Sequence, residues 1–491
     1  MGLSQMKMGA KMMCVLVLGV VPPTLQGADI AQQVDVTEVD SIFAPWNNST
    51  TPGCAVGVMQ EDEVLVMRSY GMADLENDVV NKTSTLFEVG SISKQFTATA
   101  ILMLARDGKL ALDDDIRKYL PEMPVYGQPI SIDHLLTHTS GVRDWGFLDE
   151  VAGWGRKTKV MSNADALDII IRQKQLNYVP GDEYSYTNSG YVLLAIIFER
   201  VSGQSLPAFS KEHIFDFLGM GSTQWRDDFR RIVKGRSIAY MNTEQGYVQT
   251  MPFENVYGDA GILTNVPDML TWNAALADQR FGSFVATELE RRRVLNNGQH
   301  LTYARGLHVK DRGGVAEISH GGGIGAYRAW LARFPERKLS IAVACNAGDP
   351  EYAYGGDYFG YKIADLFLTY HDQPEQAEVS GKEAPSSGLY TRNVTSMPVN
   401  VDAFTGAYYS DEIGVTYIVG KDGGNLILRI EHRPGIVIPL QAAIDDTFIY
   451  DTRLGPATGQ VRFDRDEVGV VNGFKLSWNY RVRDLHFTRR H

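Results

Sequence analysis

Two stretches of this chain are apolar nearly all the way round: Phe96–Ala105 (FTATAILMLA) and Tyr191–Val201 (YVLLAIIFERV). A helix with no polar face has to be wrapped by other elements inside a large protein. Gly108 and Gly203 supply the C-terminal stops that such helices favour. With 491 residues and 44% hydrophobic content, the chain has material for that wrapping and for more than one domain. Polar, reactive residues stand just ahead of each buried helix: Ser91-Ile92-Ser93-Lys94 and Tyr186-Thr187-Asn188.

Residues three apart share a helix face, so Ser91 Oγ and Lys94 Nζ can meet. A serine hydroxyl becomes a nucleophile when a neighbouring base takes its proton. A lysine near pKa 10.4 must fall by roughly 3 units to be half neutral at pH 7, at a cost of about 4 kcal/mol, and burial supplies shifts of that size. Taken alone, S-x-x-K arises often by chance and equally suits a capped helix with an exposed lysine. Tyr186 offers a phenol for proton relay, and Asn188 an amide that both donates and accepts. Tyrosines also pack in loops and asparagines also cap helices. His320-Gly321-Gly322-Gly323 reads as the end of one strand ahead of another, where glycines admit a close backbone approach. Gly323 N–H, with Ser91 N–H at the helix start, would form an oxyanion pair, one such donor being worth about 10²–10³ in rate. Glycine-rich strand ends are otherwise plain turns. His138 in LTHTSG reads as a loop brace.

Residues 1–28 carry Lys7 and Lys11, then the apolar run Met12–Val21, Pro22-Pro23 and a small-residue end at Gly27-Ala28, the pattern of an export signal. The run is too short for a bilayer, which needs about 20 residues. Cys14 lies inside it rather than at its end, against a lipoprotein anchor. No later segment reads as transmembrane. Removing Lys7 and Lys11 takes the net charge from −12 to −14, which argues against nucleic acid and anionic membrane surfaces. The expectation is a secreted or periplasmic protein with no stable membrane anchor. Cys54 and Cys345 remain, and two separate buried thiols are expected over a disulfide. No Walker loop and no zinc-spaced cluster is present, so no metal or cofactor is expected.

A helical pattern over 30–45 is followed by strands Cys54–Gln60 and Val64–Tyr70. Helices then dominate to about Arg280, before strands Val315–His320, Ala326–Phe334 and Lys338–Asn346. Strands at both ends with helices between imply one mixed domain, 29–370, whose termini meet in one sheet. Residues 371–398 read as a polar linker. Residues 399–491 change to about eight short alternating strands, with a hairpin signal at Lys421–Asn425, the pattern of a small antiparallel barrel or sandwich without catalytic groups of its own.

The ordered motifs Ser91…Lys94, Tyr186…Asn188 and His320…Gly322 resemble the serine hydrolases related to penicillin-binding proteins and class C β-lactamases, which carry S-x-x-K, Y-x-N and K-T-G or H-x-G in that sequence. The likeness extends from Val56 to about Asn346 through LLTHTSGV (Leu135–Val142) and DAGILTNVPDML (Asp259–Leu270). It implies an α+β fold, a mixed β-lactamase-like (transpeptidase-like) domain with a helical subdomain, followed by an all-β barrel that resembles the lipocalin-like module of D-aminopeptidase-type relatives. It further implies Ser91 as the acylated nucleophile, Lys94 as its base, and Tyr186 as proton shuttle. Asn188, His320 and Gly322 would bind substrate, and Ser91 and Gly323 would hold the oxyanion. His320 stands where β-lactamases carry a lysine. An imidazole near pKa 6.5 is largely neutral at pH 7, which weakens the anchoring of a β-lactam carboxylate. The expected activity is cleavage of amide bonds in short, D-residue-containing peptides through an acyl-enzyme. A carboxylesterase, a weak β-lactamase and a non-catalytic cell-wall peptide sensor are the alternatives. Partners are then a small peptide, amide or ester substrate, no nucleic acid, and a homo-oligomer at most.

Overall fold

The computed structural model describes residues 36–155, 158–348, 356–368, 401–451 and 458–490. The export-like segment 1–28 and the linker 371–398 lie outside those residues. A six-stranded antiparallel sheet runs in the order His308–Arg312, Val315–Ile324, Tyr327–Phe334, Leu339–Cys345, Cys54–Gln60, Glu63–Tyr70. The two ends of the mixed region therefore do meet in one sheet. Both faces of the central strands are covered. Val56, Val58, Ile341 and Val343 pack with Val39, Phe43, Phe359 and Ile363, which come from helices Val36–Phe43 and Gly356–Phe367. The opposite face carries Ala55, Gly57, Ala342 and Ala344, and its small side chains let helix Val266–Ala277 sit close. A Cβ on Gly57 would fall 2.5 Å from Val266 Cγ1.

Two expectations change. The register sets Cys54 directly opposite Cys345, and the two sulfurs are bonded to each other rather than lying as separate thiols. The glycine strand does not stop at His320: Gly321–Ile324 continue the ladder against Tyr327–Trp330, so the whole His-Gly-Gly-Gly run is strand.

The nucleophile helix, Ser93–Arg106, and the second buried helix, Asn188–Ser202, lie in the helical half and form its core. Among the described residues no single helix is long and apolar enough to cross a membrane. One bent pair, Asn188–Ser202 with Leu206–Leu218, reaches the length and composition together, and its first member is core. From Gly406 to Arg490 nine antiparallel strands form a nearly closed barrel, the eight read from sequence plus the two-residue strand Gln441–Ala442. Asp422 pairs with Asn425 across Gly423-Gly424, both at positive φ, the turn geometry that matches strand twist. The barrel docks on the helical half. Arg143 and Glu412 form a 2.8 Å ion pair with both side chains at most 1% exposed, and Tyr417 Oη donates to the Val151 carbonyl at 2.7 Å.

Candidate active site

Ser91 lies in a short 3₁₀ turn, Gly90–Ile92, that runs directly into the helix carrying Lys94. The turn is pressed against the glycine strand. A Cβ on Gly322 would fall 1.9 Å from the Val89 carbonyl oxygen, and one on Gly90 would fall 2.7 Å from Gly323 N. Gly322 thus acts through this contact between strand and turn. The neighbouring strand's ladder stops at the His308–Ser319 pair, which leaves the edge from His320 to Gly323 free of a strand partner beside the serine. Gly323 is exposed there, and Ser91 N and Gly323 N meet at one seam.

Lys94 is fully buried, whereas Ser91 keeps part of its surface. The amine Nζ lies 3.1 Å from Ser91 Oγ, 2.9 Å from Asn188 Oδ1 and 2.7 Å from the Asp259 carbonyl. A neutral amine has two N–H donors and one lone pair. With the donors spent on Asn188 and Asp259, the lone pair is left for the serine proton. Asn188 is itself pinned, its backbone N–H donating to Asp144 Oδ2 at 2.6 Å. Its side-chain Nδ2 meets no protein acceptor among the described residues and is free for a substrate carbonyl.

The Tyr186 ring lies under the Lys94 amine, 4.8 Å from Nζ to the centroid, and its hydroxyl is shielded from water with no hydrogen-bond partner of good geometry. Burial pushes the phenol above its ordinary pKa, while Ser91 and the Arg481 guanidinium pull it back. It therefore rests as a protonated donor. His138 packs against this ring at a 38° tilt, centroids 4.1 Å apart, with both nitrogens used: Nδ1 accepts from Thr187 N–H at 3.2 Å, and Nε2 meets Tyr303 Oη at 3.2 Å. That is a brace, as the sequence suggests.

His320 differs from expectation. It is 4% exposed, with Nδ1 on the Gly321 carbonyl and Nε2 3.0 Å from Tyr303 Oη. One proton arrangement satisfies the whole chain: His138 Nε2–H to Tyr303, Tyr303 O–H to His320 Nε2, and His320 Nδ1–H to Gly321 O. Both imidazoles are then neutral. Burial is the leading cause that holds both well below the usual histidine range. The ring keeps no nitrogen for a substrate, so the expected contact role of His320 becomes one of positioning the glycine strand.

Three participants escape the sequence reading. The Asp259 carbonyl holds Lys94, Tyr303 links the histidines, and Arg481 of the barrel places its guanidinium carbon 5.2 Å from the Tyr186 centroid. Only the Asp259 stretch carries a local signal, DAGILT. Tyr303 and Arg481 come from segments with none.

A buried amine on a serine hydroxyl, a shielded phenol beside both, and the backbone N–H groups of Ser91 and Gly323 at one seam define the site of a serine hydrolase. The sequence model of the β-lactamase family matches residues 39–363, and the chain belongs to that family. Among its relatives, a penicillin-binding protein of Bacillus subtilis strain 168 is 31% identical over 360 residues, 68% of this chain and 76% of that one. A D-aminopeptidase of Cereibacter sphaeroides strain KD131 is 27% identical over 389 residues, 78% and 68% of the two chains. The octameric penicillin-binding protein homologue from Pyrococcus abyssi shares the fold with TM-score 0.60 at 23% identity, covering 93% of this chain and all of that one. The D-amino acid amidase from Ochrobactrum anthropi SV3 does so at TM-score 0.58 and 19% identity, over 67% and 98%.

Proposed function

We propose that this protein is an exported hydrolase that cleaves amide bonds of short peptides, with D-residues at or next to the bond, through an acyl-enzyme on Ser91. The observation that carries the reading is the Lys94 amine, fully buried and 3.1 Å from Ser91 Oγ. Lys94 takes the hydroxyl proton as Oγ bonds to the carbonyl carbon, and the oxyanion forms between Ser91 N–H and Gly323 N–H. Tyr186 gives its proton to the leaving nitrogen as the C–N bond breaks, and is reprotonated from Lys94. Water then attacks the ester by the reverse route. The D-peptide preference draws on the D-aminopeptidase relatives. Export draws on the charge and apolar pattern of residues 1–28 and on the Cys54–Cys345 disulfide, a bond that persists in oxidising compartments. Self-association is a further proposal, favoured by the octameric homologue.

Rates on D-alanine p-nitroanilide, p-nitrophenyl butyrate and a chromogenic cephalosporin test the reading. Hydrolysis of the anilide with little turnover of the cephalosporin is expected. Cleavage of the ester alone would leave a carboxylesterase.

A further inference from the structure

The barrel sends one hairpin to the active site. Strands Val471–Trp478 and Val482–Arg490 are joined by a turn at Asn479–Arg481, and that turn is fastened to the catalytic half on several sides. The Arg481 carbonyl accepts from Asp144 N–H at 3.3 Å and from Asn177 Nδ2 at 2.9 Å, while Asn177 Oδ1 accepts from Arg483 N–H at 2.8 Å. Arg483 pairs with Glu183 at 2.9 Å, and Arg143 donates to the Arg483 carbonyl at 2.8 Å. The turn is thus held in place, which fixes where Arg481 points.

Its guanidinium lies among three rings, 5.2 Å from the centroid of Tyr186, 5.1 Å from Phe147 and 5.3 Å from Tyr480. Nε donates to Tyr480 Oη at 3.0 Å. Among the described residues no carboxylate lies within ion-pair distance of Arg481. Among the described residues, its two terminal nitrogens, the fork that fits a carboxylate bidentately, meet no protein acceptor. A charged, half-buried fork with aromatic walls and no carboxylate in direct contact stands beside the residue that protonates the leaving group; Asp144 acts on it only through space, its oxygens held by the N–H groups of Gly146, Phe147 and Asn188, so the fork can take an anion. When the bond cut is the last of the peptide, the leaving amine carries a free α-carboxylate two bonds from the nitrogen that Tyr186 serves. His320, neutral and fully engaged, supplies no cation for it.

We propose that Arg481 binds the free α-carboxylate of the leaving residue, so that the barrel selects substrates cut next to their C-terminus. This rests on the peptidase reading above and assigns the barrel a direct part in specificity.

The test compares wild type with R481Q and R481K in the full-length protein. N-acetyl-D-alanyl-D-alanine and its C-terminal amide are the substrates. Wild type should prefer the free acid, and R481Q should lose on the order of 10–100-fold more in kcat/KM on the acid than on the amide, the shared loss reporting its effect on Tyr186. R481K should recover part of the loss. Equal losses on both peptides, or a wild-type preference for the amide, would overturn the proposal. A second readout needs no peptide turnover: the rate at which a fluorophosphonate labels Ser91 with propionate or propionamide present. Propionate should slow labelling of wild type and not of R481Q. If it slows both alike, or neither, the anion site is refuted. If wild type cleaves neither peptide while propionate protects it selectively, the peptidase reading fails and the anion site stands.

Discussion

At the scale of single residues the catalytic argument is one of hydrogen-bond valence. Among the neighbours of the Lys94 amine, Asn188 Oδ1 and the Asp259 carbonyl can only accept. Only Ser91 can act as donor or acceptor toward the amine. The same counting makes His138 and His320 neutral around Tyr303. Burial is the leading cause that lowers both, and it also brings His134 to about 4 and His308 to about 3. Because these folded-state values lie below the unfolded 6.5, the unfolded chain binds protons that the native one refuses. Stability is therefore intact above about pH 6.5 and is lost as pH falls toward 4, by about 1.4 kcal/mol per pH unit for each histidine involved. Melting temperature measured from pH 8 to pH 5 should be flat at first and then drop steeply. A flat profile down to pH 5 would contradict the buried neutral chain. Ser91, Lys94, Tyr186 and Asn188 were legible in the sequence because each pair is local and leads a visibly apolar helix. Tyr303 and Arg481 were not, since Tyr303 gains its role only when His138, 165 residues earlier, meets it beside His320, and Arg481 only when the barrel turn reaches Tyr186.

At the scale of elements the decisive contact is between the glycine strand and the nucleophile turn. Gly322→Ala would place a methyl 1.9 Å from a backbone oxygen, which no rotamer relieves. The strand must back away from Ser91 and spoil the oxyanion pair. The expected result is a drop of roughly 10²–10³ in kcat with about 1–3 kcal/mol of destabilisation. Gly321→Ala meets nothing nearer than the Ala329 carbonyl at 3.9 Å and should melt like wild type. Equal stability losses in both variants, followed by thermal melts, would mean the close approach is not what glycine provides. Strand existence and order were readable from alternation and turn residues. The extension through Gly321–Ile324 was not, because glycine runs look like turns until a partner strand completes their ladder.

At the scale of the whole molecule, the barrel is bound to the catalytic half through a desolvated charge pair. Removing one partner of such a pair leaves the other charge buried. Glu412→Gln, which strands Arg143, should cost about 3–5 kcal/mol in denaturant unfolding, and a change below 1 kcal/mol would mean the pair is solvated in solution. The composition break near residue 371 announced a second module, and its strand spacing announced a barrel. Nothing in that spacing says which loop faces the catalytic half, for docking depends on surfaces that hydrophobic periodicity does not encode. The whole account nevertheless returns to one serine activated by one buried amine. Intact-mass analysis after exposure to a fluorophosphonate tests this most directly. A single adduct on the wild-type protein, absent from S91A and strongly slowed in K94A, is the predicted outcome. An adduct that forms on S91A as it does on wild type would contradict it.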